Sequence, residues 1–433
     1  MNPIITGIIG IGVILLLMAC GLPIGIAMIL VGFAGFAYLV NVTAALNIVG
    51  TVPYGIISNY DWLVLPLFLF VASIFFFAGL GRSLFRLAHN FFGRLPGGLA
   101  MATIGACAIF AAISASSIAT AVTIGTIAIP EMKRYKYDDA LATACIAAGG
   151  TLGILIPPSG IFIIYGILTE TSIVKLFVAG IIPGIILSLM FICMIYIRAR
   201  LNPTMAPPGL RTSLREKLVA TGECAEAILL IAVVLGGLII GWFTPTEAAA
   251  IGAFGAIVTS LIRRRLSLQG FKDAILDAVR NTGMIFLCLI GALILNGFIA
   301  VSTIPMELAN LVTSFGFPPP VVMELIVLVY LILGCFIDTM SMILLTIPVF
   351  FPLVKGLGYD PIWFGVIVVL VVEMAMITPP VGMNVWVISG IAKNVPMEVI
   401  FKGIFPFVVV EIAFVMLLIA FPQIALFLPE LIK

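Results

Sequence analysis

A few polar side chains stand inside otherwise apolar sequence, and their types suit the ligation of ions more than the breaking of bonds. Asp338, Thr339 and Ser341 sit in "LILGCFIDTMSM", while Ser114, Ser116, Ser117 and Thr120 form a polar knot in "AISASSIAT". Carboxylate, hydroxyl and carbonyl oxygens are hard ligands for a small cation. An acid within the membrane is by default a functional candidate, as a cation ligand or proton carrier, with a cap of the hairpin turn as the lesser alternative for Asp338. Glu373, in "VVEMAMITPP", admits the same roles, and Glu411 and Glu324 read as interhelical or interfacial groups. The hydroxyls have a second use, bonding the preceding turn of their own helices. Their clustering at two places favours ligation.

Chemistry of other kinds has no support. The seven cysteines are scattered, His89 is the single histidine, and no nucleotide loop of the type GxxxxGK[ST] occurs, so the chain carries no ATPase of its own. "GLGYD" and a second "YD" resemble an aspartyl dyad, but the topology below puts Asp138 and Asp360 on opposite faces of the membrane. No residue is assigned a catalytic role, and nothing points to nucleic acid.

The elements that position these groups are unusual. With 63% hydrophobic and 9% charged residues and a mean hydropathy of +1.32, the chain reads as an all-α polytopic membrane protein. The first apolar run has no Lys or Arg ahead of it and no cleavage pattern, so it reads as a retained span and not a signal peptide. Yet "GGTLGILIPPSG", residues 149–160, places four glycines and a proline pair in one of the most apolar regions. Irregular backbone at membrane depth is tolerated only where protein buries it or a polar cavity solvates it. Proline removes a donor and glycine permits non-helical backbone and close approach, which leaves free carbonyls and half-helix ends. A plain kink is the alternative for a single proline pair; a second pair, Pro379–Pro380, favours a binding site.

That second pair belongs to a duplication. An offset of 222 residues carries "IPEMKRYKYD" onto "FPLVKGLGYD", Pro157 and Pro158 onto Pro379 and Pro380, Pro96 onto Pro318 and Pro23 onto Pro245. The predicted repeats cover 1–211 and 223–433. In the first, spans lie near 4–20, 21–40, 62–81, 137–170 and 172–197, and 99–132 is too short for two full crossings. Two half-length helices meeting at the serine tip are expected there, with a second hairpin at about 321–358 and broken helices at about 137–170 and 359–390. Five crossings invert the second repeat relative to the first. With the N-terminus outside, only Lys175, Lys355 and Lys433 of the 21 Lys and Arg fall on the outer face, as the positive-inside rule requires. Both termini are then outside. "GRSLFRLAHNFFGRLPGG" and 267–282 read as inner-face arm helices bracing a frame for the hairpin core.

"GGTLGILIPPS", "EMAMITPPVGMN", "FTPTEAAAIGA" and "SASSIATAVTIGTIAIPEM" together resemble the large membrane subunit of the tripartite ATP-independent periplasmic (TRAP) transporters, over essentially the whole chain. The resemblance implies an elevator-type carrier of the ion-transporter superfamily in the bacterial inner membrane. It implies sodium as the coupling ion, no other cofactor, and uptake of carboxylates such as dicarboxylates and sugar acids. It also implies two partners, a small four-helix membrane (Q) subunit and a soluble periplasmic substrate-binding (P) protein. Because the duplication begins at the N-terminus, the small subunit is expected as a separate chain. By position, one sodium site would use Ser114, Ser116 and Ser117 with carbonyls around Gly149, Gly150 and Gly153, and its counterpart Asp338, Thr339 and Ser341 with carbonyls near Thr378. Substrate would lie between the tips, near Ser116, Pro157, Ser159, Pro379, Pro380 and Asn384. No Lys or Arg is predicted at the midplane to pair a carboxylate. A stand-alone carrier of the same superfamily and a channel are the competing readings.

Overall fold

The computed structural model describes residues 2–209, 212–334 and 337–432. Both ends of the first predicted repeat, residues 1 and 211, the last residue of the second, Lys433, and residues 335 and 336 lie outside the described residues. The chain is helical from end to end. The first half holds α1 (Pro3–Ala19), α2 (Ile24–Leu39), α3 (Val42–Ser58), α4 (Val64–Phe77), α5 (Leu80–Phe92), α6 (Gly98–Ser114), α7 (Ser117–Arg134), α8 (Asp139–Leu155), α9 (Gly160–Thr169) and α10 (Ile173–Leu201). The second holds α11 (Leu214–Ile240), α12 (Pro245–Ile262), α13 (Leu268–Val301), α14 (Ile304–Phe315), α15 (Pro319–Gly334), α16 (Thr339–Gly356), α17 (Pro361–Ala375), α18 (Met383–Ile391), α19 (Met397–Ala420) and α20 (Gln423–Leu431). Among the described residues seven helices are long and apolar enough to cross a bilayer, or eight if α8 and α9, bent by 40°, form one span.

Helix starts follow local chemistry. Asn2 accepts from the Ile4 amide with Pro3 in the first turn, and Asn41 accepts from that of Ala44. The "TPTE" of residues 244–247 is a capping box: Thr244 Oγ1 accepts from the Glu247 amide at 3.3 Å, and Glu247 Oε2 accepts from the Thr244 amide at 2.9 Å. Pro245 occupies the first turn, where its missing N–H costs nothing. Thr244→Ala is therefore expected to destabilise the protein by about 1 kcal/mol, read from reversible unfolding in detergent.

Elements recur at the offset seen in the sequence. Both the start and the end of α16 lie 222 residues beyond those of α7, and α17 starts 222 residues beyond α8. Packing is exchanged reciprocally between the halves: α2 packs on α13 and α12 on α4, α18 on α7 and α9 on α16, α19 on α8 and α10 on α17. Neither half buries its own apolar faces without the other.

Three expectations change. The hairpin helices α6 and α7 have 17 and 18 residues, so each is roughly 26 Å long at 1.5 Å per residue, not half-length. They run on past the apolar stretch into "EMKR", and the turn between them is short. The arm at 267–282 is not a separate helix: α13 continues through it for 34 residues, roughly 51 Å, with no proline to interrupt it. Finally, α3 and α14 are additional helices. At the 222-residue offset α3 corresponds to the arm part of α13, and α14 to α5.

Candidate functional site

At the first hairpin tip, Ala115 adopts a left-handed conformation with φ +48°, ending α6, and Ser116 starts α7 by accepting from the Ala119 amide at 3.3 Å. The Ser114 and Thr120 hydroxyls lie 2.6 Å apart, and Thr120 Oγ1 donates to the Ser116 carbonyl at 2.8 Å. The knot is thus a closed set of oxygens around a two-residue turn. At the second tip Asp338 caps α16, its Oδ2 accepting from the Ser341 amide at 3.2 Å. That leaves Thr339 Oγ1 and Ser341 Oγ buried without a hydrogen-bond partner. The cap is real, and the unpaired hydroxyls beside it are what a cap alone does not explain.

Both tips reach the same place. A methyl at Gly160, where α9 begins, would sit 3.5 Å from Met340 Cε of the second tip and 3.8 Å from the Ala115 carbonyl of the first. Ser159 caps α9, accepting from the Phe162 amide at 3.4 Å, so the positive end of a ten-residue helix faces the meeting point.

The first break covers only residues 156–159, and Gly149, Gly150 and Gly153 lie inside α8, not in irregular backbone. Their role is close approach. A methyl at Gly153 would lie 2.7 Å from both the Ser116 carbonyl and Thr120 Oγ1; one at Gly150 would lie 3.1 Å from the Ser117 carbonyl and Asn384 Nδ2; one at Gly149 would lie 2.8 Å from Cys107 Sγ. The freed carbonyls are those of Gly153 and Ile154, because the residues four ahead, Pro157 and Pro158, bring no N–H.

The second break is longer. α17 ends at Ala375, Thr378 Oγ1 donates to the Met374 carbonyl at 2.7 Å, and the Asn384 amide donates to the Met376 carbonyl at 3.0 Å. Pro157–Pro158 and Pro379–Pro380 are both cis. Their surroundings differ: Pro157 and Ser159 are buried, whereas Pro379 and Pro380 are exposed. One break is sealed and its counterpart is open.

Two hydrogen-bonded bridges tie the halves together beneath the tips. Asn384 Nδ2 donates to Ser117 Oγ at 2.8 Å and to the Ala147 carbonyl at 3.2 Å. Thr151 Oγ1 donates to Glu411 Oε1 at 3.0 Å. Ser117 therefore turns towards the second half, while Ser114 and Ser116 stay with their own tip. The Thr151 and Glu411 bridge carried no sequence signal beyond the acid itself. Thr151→Val, which keeps the shape and removes the donor, is expected to destabilise the protein by about 1.5–3 kcal/mol, measured by unfolding in detergent.

The geometry defines a polytopic membrane protein of the transporter class, with ligating oxygens gathered where helices are interrupted and, among the described residues, no cluster of three or more His, Cys, Asp or Glu side chains that could hold a metal ion. Comparison with known proteins makes this specific. The family described as "Tripartite ATP-independent periplasmic transporter, DctM component" matches residues 11–424. The chain is 36% identical over 374 residues to the C4-dicarboxylate TRAP transporter large permease protein DctM of Pseudomonas aeruginosa, covering 86% of this chain and 87% of that protein. It is 32% identical over 416 residues to the sialic acid TRAP transporter large permease protein SiaM of Vibrio cholerae, covering 96% of each. Against the isethionate TRAP transporter permease protein DctMQ of Oleidesulfovibrio alaskensis it is 33% identical, covering 96% of this chain but 65% of that longer protein. The fold is similar to that of the YdaH transporter of Alcanivorax borkumensis, with a TM-score of 0.63 at 13% identity over 88% of this chain and 89% of that one. The chain belongs to the TRAP transporter family as its large membrane subunit; it is a transport protein and not an enzyme.

Proposed function

We propose that this chain moves a small organic anion across the bacterial inner membrane, driven by an inward sodium gradient, after a periplasmic binding protein delivers the solute. The observation that carries this reading is the convergence of the two hairpin tips on the start of α9, with one break buried and its counterpart exposed. A carrier open to one side at a time has this asymmetry between related halves; a channel needs both ends open together. The halves, 1–211 and 223–433, are inserted in opposite senses with both termini periplasmic, and the hairpin core slides against a frame built on α2, α4, α12 and α13. A separate four-helix membrane subunit completes the frame.

Sodium is held in two places. The first uses Ser114 and Ser116 with the carbonyls of Gly153 and Ile154; the second uses Asp338, Thr339 and Ser341 with carbonyls near Thr378. Support comes from the carbonyls the prolines leave free and from the unpartnered Thr339 and Ser341 hydroxyls. The solute lies between the tips, close to Ser116, Ser159 and the second proline pair, against the N-terminus of α9. The named relatives carry C4-dicarboxylates, sialic acid and isethionate, all organic anions. Dicarboxylates and sugar acids are accordingly the solutes to try first.

The test is uptake into proteoliposomes holding this chain and its small partner, with binding protein outside and sodium imposed inward. Uptake that needs both additions is expected. Saturable uptake indifferent to the binding protein would instead mean a stand-alone carrier, and non-saturable flux a channel.

A further inference from the structure

Beneath the first tip lies a group of buried acids that neither proposed sodium site uses. Glu373 on α17 is 1% exposed and Glu411 on α19 is 0% exposed. Glu373 lies beside Ser117 and within electrostatic reach of Glu411. Neither Glu373 oxygen has a hydrogen-bond partner of good geometry, and Glu411 Oε2 has none either. The Asn384 carboxamide adds a second kind of oxygen: its nitrogen is tied to Ser117 and the Ala147 carbonyl, while its Oδ1, on a residue 0% exposed, is unpartnered.

Among the described residues no Lys, Arg or His forms an ion pair with either acid. The ion pairs among the described residues are Arg86–Glu223, Arg134–Glu131 and Arg263–Glu226, all at partly exposed positions away from the two acids. A carboxylate in a low-dielectric interior is strongly disfavoured unless a cation or several donors face it. Here the neutral donors at hand are two hydroxyls, Thr151 Oγ1 at 3.0 Å from Glu411 Oε1 and that of Ser117 beside Glu373, and neither carries a charge. Orphaned acceptors of this kind, on three residues of the second half packed against Ser117, Ala147 and Thr151 of the first, are the signature of a missing positive ligand.

We propose that Glu373 and Glu411, with the Asn384 carboxamide oxygen, bind a monovalent metal cation that is distinct from the ions at the two hairpin tips. This rests on the sodium-driven reading above and extends it to a third ion. The oxygens suit sodium, a hard cation, and their number falls short of the six to eight that calcium takes. The site's position gives it a task. Asn384 already bridges α18 to Ser117 at the start of α7, and Glu411 bridges α19 to Thr151 on α8, so a cation here draws the second half onto the first hairpin. Sodium binding and closure of that hairpin then become one event, because each supplies what the other lacks: the closed helices bring the oxygens together, and the ion offsets their charge.

The probe is sodium alone. The subunit pair, purified in detergent, is titrated with NaCl against choline chloride at constant ionic strength, and thermal unfolding and intrinsic tryptophan fluorescence are followed with no solute present. Wild-type protein is expected to be stabilised by sodium. Glu373→Gln and Glu411→Gln, which keep side-chain volume, are each expected to need at least tenfold more sodium for half-maximal stabilisation and to lower the Hill coefficient of sodium-driven uptake. The same titrations at pH 6 and pH 8 separate metal from proton. Glutamine variants with wild-type sodium midpoints and Hill coefficient would overturn the third site while leaving sodium coupling standing. Stabilisation of the wild type by acid in place of sodium, lost in the glutamine variants, would equally overturn it and make the pair a proton store. A wild type wholly indifferent to sodium would remove the sodium-driven reading itself, and this site with it. Should either glutamine variant fail to fold, Asn384→Asp, which keeps the oxygen and adds charge, is expected to lower the sodium midpoint, and no change or a rise there would count against the site.

Discussion

Asp338→Asn is expected to lower sodium affinity on the order of 100-fold and to reduce sodium-driven uptake to background, with the protein still folded. The argument turns on separating two jobs of one side chain. Asp338 caps α16 through the Ser341 amide, and asparagine is as good an N-cap as aspartate, so the helix start survives the change. What is lost is the negative charge beside two buried, unpartnered hydroxyls, Thr339 and Ser341. Removing one charged partner from a desolvated pair typically costs about 2–5 kcal/mol, and each 1.4 kcal/mol is a factor of ten. Asp338→Ala should lose the charge and the cap together, adding about 1 kcal/mol of destabilisation. Proteoliposome uptake against sodium concentration, paired with unfolding of the same preparations, checks both parts. An asparagine variant with normal sodium dependence would reduce Asp338 to a capping residue.

Gly153→Ala is the second large effect, and it comes from space alone. The added methyl would lie 2.7 Å from the Ser116 carbonyl and from Thr120 Oγ1. Neither is the loose end of a flexible chain: one is backbone at the tip, and the other is held by its bonds to Ser114 and Ser116. In an ordinary exposed helix the same change stabilises by up to about 1 kcal/mol, because alanine is the better helix former. Gly50, on α3 with nothing within 4 Å, provides that control. At Gly153 overpacking of about 1–3 kcal/mol is expected, with the first tip pushed off α8 and uptake lost. The two alanine variants should therefore move unfolding midpoints in opposite directions. Normal uptake by Gly153→Ala would show that the first tip need not sit against α8.

Much of this was legible because breakers are rare in hydrocarbon-soluble sequence. Proline pairs, glycines and isolated polar groups each have few uses at membrane depth, and the 222-residue offset put them in corresponding places. Helix ends followed from local rules, as the Thr244 capping box shows. By type, the glycines before the first proline pair suit irregular backbone and close packing alike; only their neighbours decide between the two. Helices α3 and α14 escaped a count of crossings because each is only moderately apolar, and α3 contains Pro53.

Glu411 shows the limit most clearly. On α19, Phe407, Glu411, Phe414 and Leu418 are buried at helical spacing, while Phe405, Val409, Ile412 and Met416 are exposed. Apart from the acid, both faces are apolar, since lipid is as apolar a neighbour as another helix. Hydropathy therefore has no contrast from which to read which way the helix faces, and the sequence leaves Glu411 interhelical or interfacial; its bond to Thr151 of α8 makes it interhelical. The sequence by itself determined the helices, their interruptions, the duplication and the kinds of oxygen available for ions. Tertiary structure alone decided which interruption is buried, and that Asn384 meets Ser117 and Thr151 meets Glu411 across 267 and 260 residues of chain. Those contacts depend on how two halves that exchange packing surfaces close on each other, and no local pattern in either half encodes that.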